Sequence, residues 1–492
     1  MSEGTLADGA LPDAPAPESA GALLRRALAS SWLVLGGFGG AQLIRLAGNL
    51  ILTRLLVAED FGLMALVAAV LSGLGMFSDW GISQAIVQNE HGEEPRFLAT
   101  AYTLSVVRGA LIWLIAALIA GWVARFYGHP DLAWVLPISG VVYFLDGIAS
   151  MRVHTNNRRI RIGRVVSLDL ISQATGLATM VVWALLDPSI LALVAGGIAA
   201  SFVKMVVSHL WLPGRPDRFG WDAQSARRLV VFARWILVST IITFFAVQID
   251  RLTLGKLVSL DQLGIYNIGS VLSLMPAIAI GGLGQVLAFP LYSRAFARGA
   301  NGDRVFRSVR APITALSGWA TSFLIAGAPT VVTILYDSRY WSAGWIVQVL
   351  LCGSWFLVLD GTIASALLAT GRVKWIASSN AGKLAGFLLL APFCYAHFGF
   401  AGVVAAVSLS EIARYGVAVI GARRAGIFAV ATDLRFTLLT AGATAALYLV
   451  QRELVSLSIQ PVVICLTLLG VSTLLWAPVL AFCVRRMLHA GE

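Results

Sequence analysis

Long apolar runs separated by short polar clusters dominate the chain, at the length a bilayer-crossing helix needs, about 20 residues. Fourteen such segments are predicted as spans. The first six are Trp32–Leu52, Phe61–Val87, Phe97–Val123, Leu132–Met151, Val165–Leu186 and Ile190–Leu212. The next six are Leu229–Ile249, Leu263–Pro290, Ile313–Leu335, Ala343–Leu368, Trp375–Ala396 and Phe400–Ala422, and the set ends with Phe436–Val450 and Val462–Val484. No connection reaches thirty residues, which leaves no room for a folded extramembrane domain. Residues 1–28 contain Pro12, Pro15 and Pro17 and few large apolar side chains, so they are expected to form a disordered cytoplasmic tail. The first twenty residues have no basic segment leading into an apolar core, so no secretory signal is expected there.

An internal repeat organises these segments. Leu52-Thr53-Arg54-Leu55-Leu56-Val57-Ala58-Glu59-Asp60-Phe61-Gly62-Leu63 aligns with the stretch from Leu254 to Ile265 at an offset of 202 residues, and base, acid, glycine and apolar positions agree. Gly81-Ile82-Ser83-Gln84-Ala85-Ile86 aligns with Gly282-Leu283-Gly284-Gln285-Val286-Leu287 at an offset of 201. Six spans per copy is an even number, so both copies enter the membrane from the same side. The expected fold is an all-α polytopic membrane protein with about fourteen transmembrane helices. It has two parallel six-helix lobes, 29–228 and 229–425, and two further helices in 426–492.

Charge then orients the chain. Of 492 residues, 58% are apolar and 12% charged, a composition outside the soluble class. The net charge is +11, but 24 Lys and Arg fall on one side of the predicted topology, 6 on the other and 6 within spans. This bias is the one cytoplasmic loops carry, so the basic character needs no nucleic acid. It places both termini in the cytoplasm of a multi-pass inner-membrane protein. The acidic stretch Glu90-His91-Gly92-Glu93-Glu94 runs against the trend. The four cysteines and six histidines form no metal-ligand pattern and no phosphate-binding loop is present, so no metal, cofactor or ATP hydrolysis is expected.

The run L-T-R-L-L-x-x-E-D-F-G-L at 52–63, with D-x-G-x-S-Q-A-I-V-Q at 79–88 and I-D-R-L-T-L-G-K at 249–256, carries a family likeness. L-G-I-Y at 263–266 and L-L-A-T-G-R at 367–372 add to it. From about residue 25 to 425 the chain resembles the polysaccharide transporter (Wzx-type) lipid-linked oligosaccharide flippases of the multidrug/oligosaccharidyl-lipid/polysaccharide exporter superfamily. The resemblance implies a central cavity, alternating access and a polyprenyl-pyrophosphate-linked glycan as cargo. Its implied partners are membrane lipids and the polysaccharide polymerase and export machinery. The alternatives are a cation-coupled small-molecule or drug exporter of the same superfamily, and a membrane glycan polymerase or ligase.

Ionisable groups deep in a span are costly and mark candidate functional residues. Arg45, Arg108 and Lys383 are the mid-span cations, and Gln42, Arg45, Asn49 and Thr53 share one helical face. Guanidinium forks match phosphate oxygens, so Arg45, Asn49, Gln42, Arg108 and Lys383 are the expected cargo contacts. The competing expectation is that these cations pair with acids inside the bundle. Asp79, Asp360 and Glu411 are the mid-span acids and the candidates for ion coupling. Asp79-Trp80-Gly81 and Gly281-Gly282-Leu283-Gly284 interrupt corresponding spans, as at transporter binding sites. Reporter fusions after Arg164 and Arg228 are expected to read cytoplasmic and fusions after Tyr127 and Arg339 external; a reversal at any one would break the fourteen-span topology.

Overall fold

The computed structural model describes residues 20–78, 81–88, 92–159, 161–283, 292 and 302–489. The described residues are helical and contain no strand. The N-terminal half comprises α1 (Ala20–Leu55), α2 (Ala58–Phe77), the short α3 (Ile82–Gln88), α4 (Pro95–Tyr127), α5 (Leu132–Ile148), the short α6 (Arg152–Arg158), α7 (Ile162–Leu186) and α8 (Leu191–Trp211). The second half comprises α9 (Ala223–Leu257), α10 (Leu260–Leu283), α11 (Gly302–Leu335), α12 (Ala343–Ala369) and α13 (Lys374–Arg424). Then come α14 (Val430–Ser456) and α15 (Pro461–His489). Among the described residues eight helices are long and apolar enough to cross a membrane, or nine if the bent pair α5–α6 counts as one span. One of the eight, α13, has 51 residues and reverses at Gly399, whose φ of 55° suits a residue without Cβ. Its two limbs pack on each other, Gly382 against Val417 and Gly386 against Ala413, and they coincide with the eleventh and twelfth predicted spans. The protein is thus a multi-pass α-helical membrane protein, and Leu118, Leu186, Leu389 and Leu474 face outward on its lipid-exposed surface.

Several helix ends depart from the apolar runs, and at two of them a polar side chain finds partners in the bundle. α1 begins at Ala20, inside the stretch expected to be disordered, because Ala-Gly-Ala-Leu-Leu-Arg-Arg-Ala-Leu-Ala is rich in helix formers. α9 runs to Leu257, which puts Asp250 and Arg251 about two turns inside a helix instead of at its outer end. α11 starts at Gly302, and Arg310, expected in a cytoplasmic loop, is 2% exposed. Its guanidinium pairs with Asp433 at 2.5 Å and donates to Thr362 Oγ1 at 2.6 Å and to the Leu359 carbonyl at 3.1 Å. Asp433 also accepts from the Tyr415 hydroxyl at 2.6 Å. This network ties α14 to α11, α12 and α13. Leaving one member of such a buried pair alone costs about 3–5 kcal/mol.

The helix break expected at Asp79-Trp80-Gly81 is present: α2 stops at Phe77, α3 begins at Ile82, and Gly81 has a φ of 61°, with Asp79 and Trp80 themselves outside the described residues. Its expected counterpart differs, since α10 is helical through Gly281, Gly282 and Leu283, and Gly284 lies outside the described residues. Gly37 and Gly40 of the Gly36–Gly40 run lie against Val166 and Leu170 of α7, so they serve helix packing.

The two halves meet where the repeat aligns. A Cβ on Gly62 would lie 2.0 Å from the Leu260 carbonyl oxygen, and a Cβ on Gly264 1.9 Å from the Ala58 carbonyl oxygen. Gly62 and Gly264 are equivalent in the repeat, as are Ala58 and Leu260, so the contact is reciprocal about a local two-fold. Backbone touches backbone there, which only glycine allows. Around this crossing Leu66, Leu254, Leu263, Tyr266 and Ile346 form one buried core spanning both halves. Gly62→Leu and Gly264→Leu are each expected to pry this crossing apart. In a cysteine-free background Thr53→Cys, at a site 1% exposed, should then label at least about tenfold faster with an impermeant maleimide. Unchanged labelling of folded protein would show that the crossing does not close this face.

Candidate substrate cavity between the halves

One face of the bundle is sealed by contacts between halves. The Tyr336 hydroxyl, at the end of α11, donates to Asn49 Oδ1 at 2.9 Å. Arg339, in the short 3-10 helix Ser338–Tyr340, donates to the Thr53 carbonyl at 3.0 Å, and the Tyr340 hydroxyl donates to the Leu56 carbonyl at 3.2 Å. These carbonyls end α1, where helix geometry leaves them without intrahelical partners. Asp337 holds Arg339 by a second fork at 2.6 Å, and the guanidinium keeps the Asp337 carboxyl below the ordinary carboxylate range. Lys256 Nζ donates to the Phe126 carbonyl, joining α9 to α4 on the same face. The arginine-rich connections, including Arg152, Arg159, Arg215 and Arg218, lie at the other end of these helices and form the basic face.

Below the seal lies a cavity of about 350 Å³ between the halves. Phe61, Met64 and Ala68 of α2, Gln248 and Arg251 of α9 and Asn267 of α10 line it. Arg251 donates to Gln248 Oε1 at 3.2 Å, Asn267 Oδ1 at 3.3 Å and Ser270 Oγ at 3.3 Å. All three acceptors are neutral, and the distances exceed the 2.7–2.9 Å typical of a charged partner. Among the described residues Arg251 has no ion pair. The neighbouring Asp250 is 8% exposed and is held instead by the Tyr266 hydroxyl at 2.5 Å. A half-buried guanidinium facing a cavity is costly to leave without a counter-ion, which makes Arg251 a candidate anion contact.

The residues singled out from sequence divide into three groups. Arg45 is exposed on α1 and donates to Gln173 Oε1 of α7 at 3.3 Å, with no ion pair among the described residues. Gln42 is half-buried on the same helix, while Asn49 is engaged in the seal by Tyr336. Arg108 reaches from α4 to the end of α2 and donates to the Gly75 carbonyl at 2.7 Å and to Ser78 Oγ at 3.2 Å. It thereby serves the free carbonyl end of α2 just before the break. Lys383, Glu411 and Asp360 form one cluster in the second half, with Lys383 2.6 Å from Glu411 and Arg414 3.1 Å from Asp360 and 3.5 Å from Glu411. Two cations and two acids neutralise each other there. Asp79 lies outside the described residues. The apolar run ends at Ile249, two residues short of Arg251, and only the I-D-R-L-T-L-G-K motif marks this arginine in the sequence.

The Polysaccharide biosynthesis protein family matches residues 51–344, more than half of the chain. The chain belongs to this family. It is 22% identical over 303 residues to the teichuronic acid biosynthesis protein TuaB of Bacillus subtilis (strain 168), covering 60% of the chain and 61% of that protein. It is 24% identical over 310 residues to the succinoglycan biosynthesis transport protein ExoT of Rhizobium meliloti (strain 1021), covering 61% of the chain and 60% of that protein. The chain thus spans about three fifths of these two relatives. A putative O-antigen transporter of Shigella flexneri is 22% identical over 400 residues, covering 77% of the chain and 93% of that protein. The fold is that of lipid II flippase MurJ in an inward closed conformation, with a TM-score of 0.69, 12% identity and coverage of 91% of this chain and 98% of that one. An inward-facing multidrug resistance MATE family transporter aligns with a TM-score of 0.60 and 14% identity over 78% of this chain and 94% of that one.

The charged cluster gives this family member a test of its own. Glu411→Gln is expected to lower the melting temperature of the purified protein, because Lys383 loses its buried counter-ion. Lys383→Met in addition should recover most of the loss; if it does not, the pair is not what stabilises the second half.

Proposed function

We propose that this protein is a flippase that moves a polyprenyl-diphosphate-linked oligosaccharide across the bacterial inner membrane by alternating access. The observation that carries this reading is Arg251, a guanidinium in the cavity between the halves with no ion pair among the described residues. A diphosphate cannot cross a low-dielectric interior unless its charge is met there, and a planar fork meets phosphate oxygens two at a time. Arg45, which has no acid partner among the described residues, is the second cargo contact on this reading, with Gln42 beside it. Family membership and the transport names of two relatives support export of a polysaccharide precursor. In a cation-coupled exporter, Asp360 and Glu411 would have to exchange protons or ions, yet Arg414 and Lys383 already neutralise both.

The basic face is the cytoplasmic one on this reading, with both termini inside, and the structure has its external face shut. A cavity of about 350 Å³ is at the small end of ligand pockets and holds a diphosphate but not a glycan. The halves 29–228 and 229–425 must therefore separate as rigid bodies around the crossing of α2 and α10 for cargo to pass. A polysaccharide polymerase and export machinery receive the flipped product.

Arg251→Ala is expected to cut surface polysaccharide roughly 10- to 100-fold at normal membrane abundance, with lipid-linked glycan accumulating in the inner leaflet. Arg251→Lys should keep part of the activity, since charge remains but the fork is lost. Arg45→Ala should act in the same direction. Mass spectrometry of lipid-linked glycan measures each effect, and wild-type export by Arg251→Ala would overturn the reading.

A further inference from the structure

The basic face holds a second, larger cavity, of about 730 Å³, wholly within the N-terminal half and apart from the one between the halves. Three connections converge on it: the segment before α4 with Glu93, the helix α6 with Arg152 and Arg159, and the α8–α9 loop with Arg215, Asp217 and Arg218. The loop is rigid by its bonding. Arg152 donates to the carbonyls of His209 at 2.7 Å, Leu212 at 3.1 Å and Arg215 at 3.0 Å, and Asn156 Nδ2 donates to the Pro213 carbonyl at 2.9 Å. Asp217 accepts from the Ser150 hydroxyl at 2.5 Å and from the Met151 N–H at 3.0 Å. At the far end Thr103 exchanges hydrogen bonds with Gly220, and the Asp222 N–H donates to Thr100.

From this frame Arg215 and Arg218 project as exposed side chains, and among the described residues neither makes a side-chain hydrogen bond or ion pair. Both acids on the wall are already engaged. Asp217 is turned into the frame, and Glu93 fills the Arg159 fork through bonds of 2.9 and 2.6 Å. This explains the acidic stretch that interrupted the basic face: Glu93 occupies the guanidinium as a phosphate would. An exposed pair of this kind contributes little net stability, so a stronger anion can displace it. Phe219 and Trp221, on the same loop, are 70% and 66% exposed, as interfacial aromatics are.

We propose that this cavity is a docking site for the diphosphate headgroup of a polyprenyl lipid in the cytoplasmic leaflet, bound by Arg215 and Arg218 and then by Arg159 as Glu93 swings away. The assignment rests on the flippase reading and deepens it: cargo is captured at the membrane surface before it enters between the halves. Its volume admits the diphosphate with an adjoining sugar, and the exposed Phe219 and Trp221 follow Arg218 on the same loop, within the chain's reach of an isoprenoid tail. A monoanionic phospholipid offers too little charge to engage three forks.

The test uses full-length protein in phosphatidylcholine nanodiscs, with Arg45→Ala and Arg251→Ala in all samples to remove the central site. Binding of farnesyl diphosphate, inorganic pyrophosphate and phosphatidylglycerol is measured by thermophoresis. Farnesyl diphosphate should bind, and Arg215→Gln with Arg218→Gln should weaken it about tenfold or more. The melting temperature should change little, because both side chains are exposed and neither makes a hydrogen bond or ion pair among the described residues. Glu93→Gln should tighten binding severalfold by freeing Arg159. Pyrophosphate should compete and phosphatidylglycerol should not. Equal affinity in the double variant, or full competition by phosphatidylglycerol, would overturn the site. Wild-type export by Arg251→Ala together with binding here would instead overturn the transport reading and leave this site standing.

Discussion

Gly62 and Gly264 set the constraint on which the arrangement of the halves depends. At this crossing the backbones of α2 and α10 approach so closely that any Cβ would overlap the facing carbonyl. Membrane helices gain little from burying apolar surface against each other, since lipid is equally apolar, so close backbone approach has to supply the packing energy. Because the two glycines are equivalent in the repeat, the crossing lies on the local two-fold, and a symmetric contact can serve as a pivot without favouring either half. The seal formed by Tyr336, Arg339 and Tyr340 on the ends of α1 surrounds it and uses carbonyls that the helix leaves free.

Charges in the bundle fall into two classes that follow from desolvation. Arg310 with Asp433, Lys383 with Glu411 and Arg414 with Asp360 are neutralised pairs, the last two within the second half and the first between it and α14. They fix helix register, and α14 is tied to the half through Asp433. Arg251 and Arg45 are bound only by neutral groups. A charge of the second kind is stable only where water or a polar group reaches it. The same distinction holds at the basic face, where Arg152 is spent on loop carbonyls while Arg215 and Arg218 remain available.

The sequence by itself determined the all-α, multi-pass class and the equivalence of Gly62 with Gly264, because hydropathy over 20 residues and a 202-residue offset are properties of the linear chain. It also located the turn at 397–399, which the structure builds on Gly399, and the break beside Gly81. Helix ends were less legible. The apolar run stops at Ile249, yet α9 continues through Asp250 and Arg251, because Tyr266, Asn267 and Ser270 of the packed helix α10 satisfy those side chains. Tertiary structure alone decided which charges are paired. Lys383 and Arg251 look alike in a one-dimensional reading, each a cation in or beside an apolar segment. Whether a carboxylate stands opposite depends on how helices more than a hundred residues apart or on separate limbs are packed. That packing follows from side-chain shape and close backbone approach, which hydropathy does not record.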